Sequence, residues 1–385
     1  MVKKAFLIFF VCVIILPAIV YILFYKDYYE KDIILGSSLP LSGINKDLGN
    51  EIIEGANSYF SHINARGGVN GKHIKYIYYD DKYEPQNTLT NIHKLLNDDK
   101  VFALFGFAGT PTAKQVLPLV IDSGIPFIAP YTGASFLRNL NTPNIVNFRS
   151  SYTQEIEAIV DYLYRKKGLT KFAIFYQNDD YGEEGYISLV EALQKRNLRL
   201  MGEGTYKRNT LSIGHGLNEI KATTPEVVII VGAYKPSARF IQKARDCCLK
   251  DVIFAPISFV HSDALVRELD GNGTNILFSQ TVPSFNDTAL AVADEYLNLL
   301  KFYYPSAQPT HVSFESFLAA KSVVEALKKV QGPLNGQKFL YNLKELDKSI
   351  LGEIPIKYHN SQLLNKVYLL NYENGKFNTL NKDVH

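Results

Sequence analysis

The side chains with chemical potential gather where apolar runs end. Asp80 and Asp81 close the run "IKYIYYDD", on the edge where open parallel sheets place their functional loops. Thr110 follows "VFALFGFAG", and Pro111 behind it opens a helix. A hydroxyl at such a junction, beside the free backbone N–H groups of a helix start, suits a carboxylate; the alternative is that Thr110 only caps its own helix. "PYTGAS" (130–135) is a second loop of this kind and carries Thr132, while "PLSG" (40–43) sets Ser42 after the first strand. Farther along, "QNDDYGEEG" places Tyr181 after a strand, "GAYKP" places Tyr234 likewise, and "PISF" places Ser258. Aromatic walls with a few oriented polar groups describe a pocket for a small molecule.

Catalytic signatures are absent from the same loops. The chain has no G-x-S-x-G elbow, no H-E-x-x-H pair and no phosphate loop, and "GEGTYK" and "GNGTN" lack the third glycine of a dinucleotide fingerprint. None of its eight histidines stands at metal-ligand spacing from another ligand. The sequence therefore reads as a binding protein without cofactor or metal. An enzyme on a similar scaffold would need a convergent acid, base or nucleophile, where this chain offers hydroxyls and tyrosines.

Positioning such loops takes an ordered body, and 385 residues suffice for two lobes with a core each. The net charge of +3 comes from Lys3, Lys4 and Lys26, so the remainder is balanced. A balanced body excludes a sequence-independent nucleic-acid binder. Residues 1–31 are read apart from the fold: two lysines precede an unbroken apolar run from Ala5 to Tyr25. Its length fits an uncleaved membrane anchor better than a signal core, with the lysines in the cytoplasm and the body outside. Cys12 lacks the preceding small residue of a lipoprotein signal. Cys247 and Cys248 are adjacent near a helix end, too close for an unstrained disulfide, and are expected to be two small packing residues.

From residue 32 strands and helices alternate. The helix through Leu48, Ile52, Ala56, Tyr59 and Ile63 stops at Gly67-Gly68, and Asn70-Gly71 turns into the next strand. Further helices are expected at 152–167, 181–195, 211–221, 236–247, 287–302 and 314–330, with "KVYLLNYENGKF" as a closing hairpin. Such βαβ repetition predicts α/β lobes, each a mostly parallel sheet flanked by helices. The strands are too many for one sheet, so the chain should form a two-lobed clamshell. Lobe I takes 32–150 plus 281–362 and lobe II takes 151–280 plus 363–385, with crossings near 149–153 and 280–283.

These segments, taken in order, resemble a known family. "LPLSG", "INARGGVNGK", "YYDDKYEP", "GTPTAKQVLPLVIDSGIPFIAPYTGA", "NFRSSYTQEIEAIVDYL", "FAIFYQNDDYGEEG", "VGAYKPSARFIQKAR" and "SFESFLAAKSVVEAL" are similar to the leucine/isoleucine/valine-binding proteins, over nearly all of 32 to about 330. That resemblance implies the type I periplasmic-binding fold and a substrate-binding role for an ABC importer. It implies that Thr110, with Thr132 and Gly133 on the adjoining loop, grips a ligand carboxylate. Tyr181 and Tyr234 match second-lobe pocket tyrosines, and Phe285 falls near an aromatic that closes over the ligand. Asp80 and Asp81 take a structural role. Where binders of branched amino acids offer a carboxylate to the ligand ammonium, this chain has Ile257 and Ser258. Glu155 is the candidate substitute, and a small carboxylate other than an amino acid stays open.

The expectation is thus a periplasmic, membrane-anchored monomer that binds an amino acid or similar small carboxylate and partners an ABC permease. A membrane-anchored sensor with the same binding chemistry is the alternative.

Overall fold

The computed structural model describes residues 32–138 and 141–380. The apolar amino-terminal run, with its expected anchor and Cys12, lies outside the described residues. None of the described helices is long and apolar enough to cross a membrane.

The first sheet is built from β1 (Ile33–Leu39), β2 (Ile74–Asp80), β3 (Ala103–Phe105), β4 (Phe127–Ile128) and β5 (Ile145–Val146). Its order is β2-β1-β3-β4-β5, and every pairing is parallel. Between these strands run α1 (Lys46–Asn64), α2 (Pro85–Asn97) and α3 (Thr110–Ser123). The chain then enters α4 (Tyr152–Lys167), whose ends match the sequence reading. Ser151 and Gln154 form a reciprocal capping box at its start, and Gly168 closes it in the left-handed conformation at φ 70°.

The second sheet repeats the plan with β6 (Phe172–Gln177), β7 (Leu200–Tyr206), β8 (Val227–Val231) and β9 (Ile253–Pro256), in the parallel order β7-β6-β8-β9. Its helices are α5 (Asp180–Gln194), α6 (Gly214–Lys221), α7 (Tyr234–Cys247) and α8 (Ser262–Glu268). β8 reads VVIIV and is buried throughout, as a strand covered on both faces requires. Each such side chain contributes about 1.5–3 kcal/mol by leaving water. Beyond β10 (Phe278–Gln280), α9 (Ala291–Tyr303), α10 (His311–Lys328) and α11 (Gly336–Lys344) return to the first sheet. There α9 and α10 pack on α1, and Phe317 meets Tyr59 edge-on at 5.2 Å. The hairpin of β11 (Tyr368–Glu373) and β12 (Lys376–Thr379) pairs antiparallel with β10 and joins the second core, as the sequence suggested.

The joint after α1 is glycine-dependent. Gly67 and Gly68 have φ of 93° and 73°, and a Cβ on Gly68 would stand 2.1 Å from the Lys72 carbonyl oxygen. Asn70 and Gly71 follow at φ 51° and 81°, a turn bridged by Val69 and Lys72.

Several expectations change, and the helix read as 314–330 runs His311–Lys328. The helix read as 287–302 begins at Ala291, because Asp287 first turns the chain and accepts from the Ala289 amide. The helix read from 211 begins at Gly214. Cys247 and Cys248 are joined as a disulfide. The helix ends between them: Cys248 is the C-cap with φ −169° and ψ −12°, which releases its side chain from the helical direction.

Candidate functional site

Strand ends of both sheets face one another across a closed cleft. On the first sheet, α3 starts at Thr110 with Gly109 as its N-cap, at φ 108°. The Thr110 hydroxyl makes no cap bond. It shares a hydrogen bond of 2.7 Å with Thr132 Oγ1 and a longer one of 3.4 Å with the Tyr152 hydroxyl. Thr132 also donates to the Tyr152 hydroxyl at 3.2 Å and accepts from the Ala134 amide. Three hydroxyls thus meet in a fully buried cluster. Burial pushes the Tyr152 phenol up to about 12, against the opposing pull of Arg149 and the two threonines. These are neutral groups with rotatable protons, the donor type that receives a carboxylate.

Gly133 sets this cluster by absence of a side chain. Its carbonyl accepts from the Tyr152 amide at 3.0 Å, and a Cβ there would lie 2.5 Å from that nitrogen. The glycine lets the start of α4 approach the first sheet.

A charged hub adjoins the hydroxyls. Arg149, at the first crossing, is fully buried. Its Nε and Nη2 donate to the two Glu315 carboxylate oxygens at 2.9 and 3.0 Å, and Nη2 also donates to Ser258 Oγ at 2.9 Å. The guanidinium lies 3.9 Å over the Tyr131 ring. Among the described residues its Nη1 has no hydrogen-bond partner. Burial alone would depress the guanidinium, but Glu315, Tyr131 and Glu155 hold its proton affinity above that of free arginine. Glu155 accepts from the Ser258 amide at 2.7 Å, from Ser258 Oγ at 2.9 Å and from Ser279 Oγ at 2.6 Å. Burial raises the Glu155 carboxyl, and Arg149 with these donors offsets only part of the rise. Thr281, at the second crossing, donates to Glu315 at 2.7 Å, and Ser150 donates to the Lys366 carbonyl at 3.0 Å on a third passage between the sheets. The hub therefore ties the first and second crossings to the cleft.

Aromatic rings fill the space beside the hydroxyls. Phe259 lies between Tyr181 at 4.6 Å, Tyr131 at 5.9 Å, Tyr83 at 6.2 Å and Tyr152 at 6.5 Å, centroid to centroid. Polar contacts hold the two sides shut around them. Tyr234 donates to Asp47 at 2.9 Å, His311 Nδ1 lies 3.0 Å from Asp263, and Arg208 reaches Glu84 at 3.1 Å. Glu184 accepts from the Ser135 amide and hydroxyl on the opposite rim.

Of the residues expected from sequence, Thr110, Thr132, Gly133, Tyr181 and Ser258 come together here. Tyr234 stands on the rim with Asp47. Ser42 lies at the end of β1 and donates to Asp80 Oδ2 at 2.6 Å. Asp81 is buried and accepts from Ser38, Thr88 and the Tyr83 amide, so both aspartates brace the loop that carries Tyr83. Phe285 packs against His311 and Tyr296, at 5.1 and 6.2 Å. Arg149, Tyr131, Tyr152, Glu315 and Phe259 were not singled out by sequence. Tyr131 and Phe259 lie within the quoted strand-end loops, and that adjacency is the signal that points to them.

Comparison with known proteins gives the family in which this arrangement occurs. A family model described as periplasmic binding protein matches residues 32–376. The chain belongs to the periplasmic binding protein family. Its relatives include a Leu/Ile/Val-binding protein homolog 7 of Brucella abortus, 22% identical over 317 residues, which cover 79% of this chain and 78% of that one. A solved structure described as a possible leucine/isoleucine/valine-binding protein from Rhodopirellula baltica is 30% identical, covers 92% of this chain and 97% of that chain, and superposes with a TM-score of 0.85. A fatty acid ABC transporter substrate-binding protein from Thermomonospora curvata shares the fold at 19% identity, with 91% of each chain covered and a TM-score of 0.82. The family resemblance, the two-lobed α/β fold and the substrate-binding class expected from sequence are borne out. The family is one of binding proteins rather than enzymes, and it places the body outside the cytoplasm.

Proposed function

We propose that this chain, as a monomer, closes its lobes on one small carboxylate-bearing molecule, an amino acid or similar solute, and presents it to an ABC permease. Lobe I comprises 32–150 with 281–362, and lobe II comprises 151–280 with 363–385. The observation that carries the reading is the buried meeting of the Thr110, Thr132 and Tyr152 hydroxyls, beside Glu155 and Ser258. Thr110 and Thr132 reach the cleft from lobe I and Tyr152 from lobe II, so a carboxylate among them would be held by both lobes only when these are closed. A ligand with that differential contact shifts the open–closed equilibrium. Glu155 supplies the acceptor for an ammonium where Ile257 and Ser258 replace the family's carboxylate. Ser42 and Phe285 contribute from the margins of the cleft, and Tyr234 closes its rim.

The test is mass spectrometry of small molecules released from protein purified from its own cells. A single carboxylate at near-equimolar amount supports the reading. A preparation that carries none, and binds none from a panel of amino and fatty acids by calorimetry, overturns it. Residues 1–25 are proposed to anchor the body at the membrane. Amino-terminal sequencing of the mature protein should find the run intact, and a start near residues 25–32 would mean cleavage and a free periplasmic protein.

A further inference from the structure

Phe259 is out of place for a core residue. It belongs to neither sheet, but to the short 3-10 turn Ser258–Val260 that follows β9. It is nevertheless only 3% exposed. Its neighbours come from both sides of the cleft: Tyr83 and Tyr131 from loops of the first sheet, Tyr152 and Tyr181 from the helix starts of the second. It belongs to the apolar cluster in which the core of the second sheet is continuous with Leu39, Leu48, Ala108 and Ala134 of the first. This ring therefore packs where aromatic side chains of the two lobes meet.

The turn that carries this ring is costly at one end and held by cleft groups at the other. It ends at His261, which has φ 70° and ψ 79°, a left-handed conformation that a β-substituted residue adopts at a cost. It begins at Ser258, whose amide and hydroxyl are held by Glu155 and whose oxygen accepts from Arg149. Those are the groups on which the polar end of a ligand would draw. A ligand that engages Glu155 or Arg149 competes with Ser258 and loosens the base of the turn. Tyr152 links the two halves of the site, with its hydroxyl among the threonines and its ring beside Phe259. A carboxylate at the hydroxyls and an apolar group in place of the Phe259 ring are thus one tyrosine apart.

We infer that Phe259 is a specificity-determining residue, an internal occupant of the apolar half of the cleft that a carboxylate ligand must displace. The inference rests on reading the cleft as the ligand site. It has a sign that distinguishes it from ordinary lining: a ring that contacts the ligand strengthens binding, whereas a ring that must leave weakens it. Removing the ring then helps a ligand able to replace it.

Phenylacetate, a benzene ring one methylene from a carboxylate, is the matching probe. Calorimetric titration of the full chain compares wild type, Phe259→Ala and Phe259→Leu. Aromatic pairing adds measurably to ring burial, and several such contacts are lost on displacement. Phe259→Ala should therefore bind phenylacetate on the order of tenfold or more tightly than wild type, with Phe259→Leu between them. If the alanine variant fails to fold, the leucine variant alone must still gain affinity. Equal or weaker phenylacetate binding in the folded variants overturns the inference. If a carboxylate still co-purifies with wild type, that result falls on Phe259 alone; if none does, the reading of the cleft falls with it.

Discussion

Replacing Arg149 by methionine should be among the most damaging single changes in this molecule. The guanidinium is fully buried and makes three hydrogen bonds, two of them a fork on Glu315 and one on Ser258. Methionine fills a similar volume, so the loss is one of charge more than of packing. Among the described residues Glu315 would keep the Thr281 hydroxyl as a donor, and Glu155 would lose the nearby positive charge that opposes its burial. Removing one partner of a buried ion pair costs about 3–5 kcal/mol, since the other charge stays in a dry site. For lobes of this size each kcal/mol lowers the melting temperature by about 2–4 °C, so a fall on the order of 10 °C is expected. The double change Arg149→Met with Glu315→Leu removes both charges and should recover most of the loss. Urea denaturation of wild type, both single variants and the double variant completes the cycle. A single variant within about 1 kcal/mol of wild type, or a double variant no better than the single, would refute the buried-pair argument.

Other perturbations have expected signs. Burial pushes the Asp81 carboxyl up to about 6, above its ordinary value of 3.8, despite donors from Ser38, Tyr83 and Thr88. The folded state thus holds a proton that the unfolded state gives up between those values. This contribution to stability is fully present below about pH 4 and is lost as pH rises through about 6. Asp81→Asn should flatten that part of the stability–pH curve in urea titrations, and an unchanged slope would contradict the assignment. Gly133→Ala should drive Tyr152 away from the threonines, lowering both the melting temperature and ligand affinity; a variant normal in both would remove Gly133 from the account. Tyr234→Phe breaks the bond to Asp47 across the rim, and small-angle scattering should then show a larger open fraction without ligand.

Much of this arrangement is readable locally. The continuous apolar run Phe172–Tyr176 and the residues flanking α4 fix their elements within a few positions, because capping and burial act over one helical turn. Thr110 was ambiguous for the same reason: a hydroxyl at a helix start can cap or bind, and only the fold shows Gly109 taking the cap position while Thr110 turns to Thr132. Of the hub, Glu155 and Ser258 were named through the resemblance, but Arg149 and Glu315 were not legible. Arg149 meets Glu315 across 166 positions, and Glu155 meets Ser258 across 103, with no periodicity to announce either pair. Phe259 escaped notice because its neighbour Ser258 carried the polar atoms, whereas its own role depends on four rings brought from both sheets. Phe285 was placed by resemblance, and its ring lies on His311.

The central claim is that the hydroxyls of Thr110, Thr132 and Tyr152 hold a ligand carboxylate. Thr110→Ala, titrated with the co-purified carboxylate alongside a melting curve, tests it most directly. The helix cap stays with Gly109, and Thr132 keeps its bond to Tyr152, so the melting temperature should change little. A hydrogen bond to a charged group contributes roughly 1.5–3 kcal/mol, so affinity should fall about ten- to a hundredfold. Thr110→Ser should retain most of it. Unchanged affinity in Thr110→Ala would contradict the account.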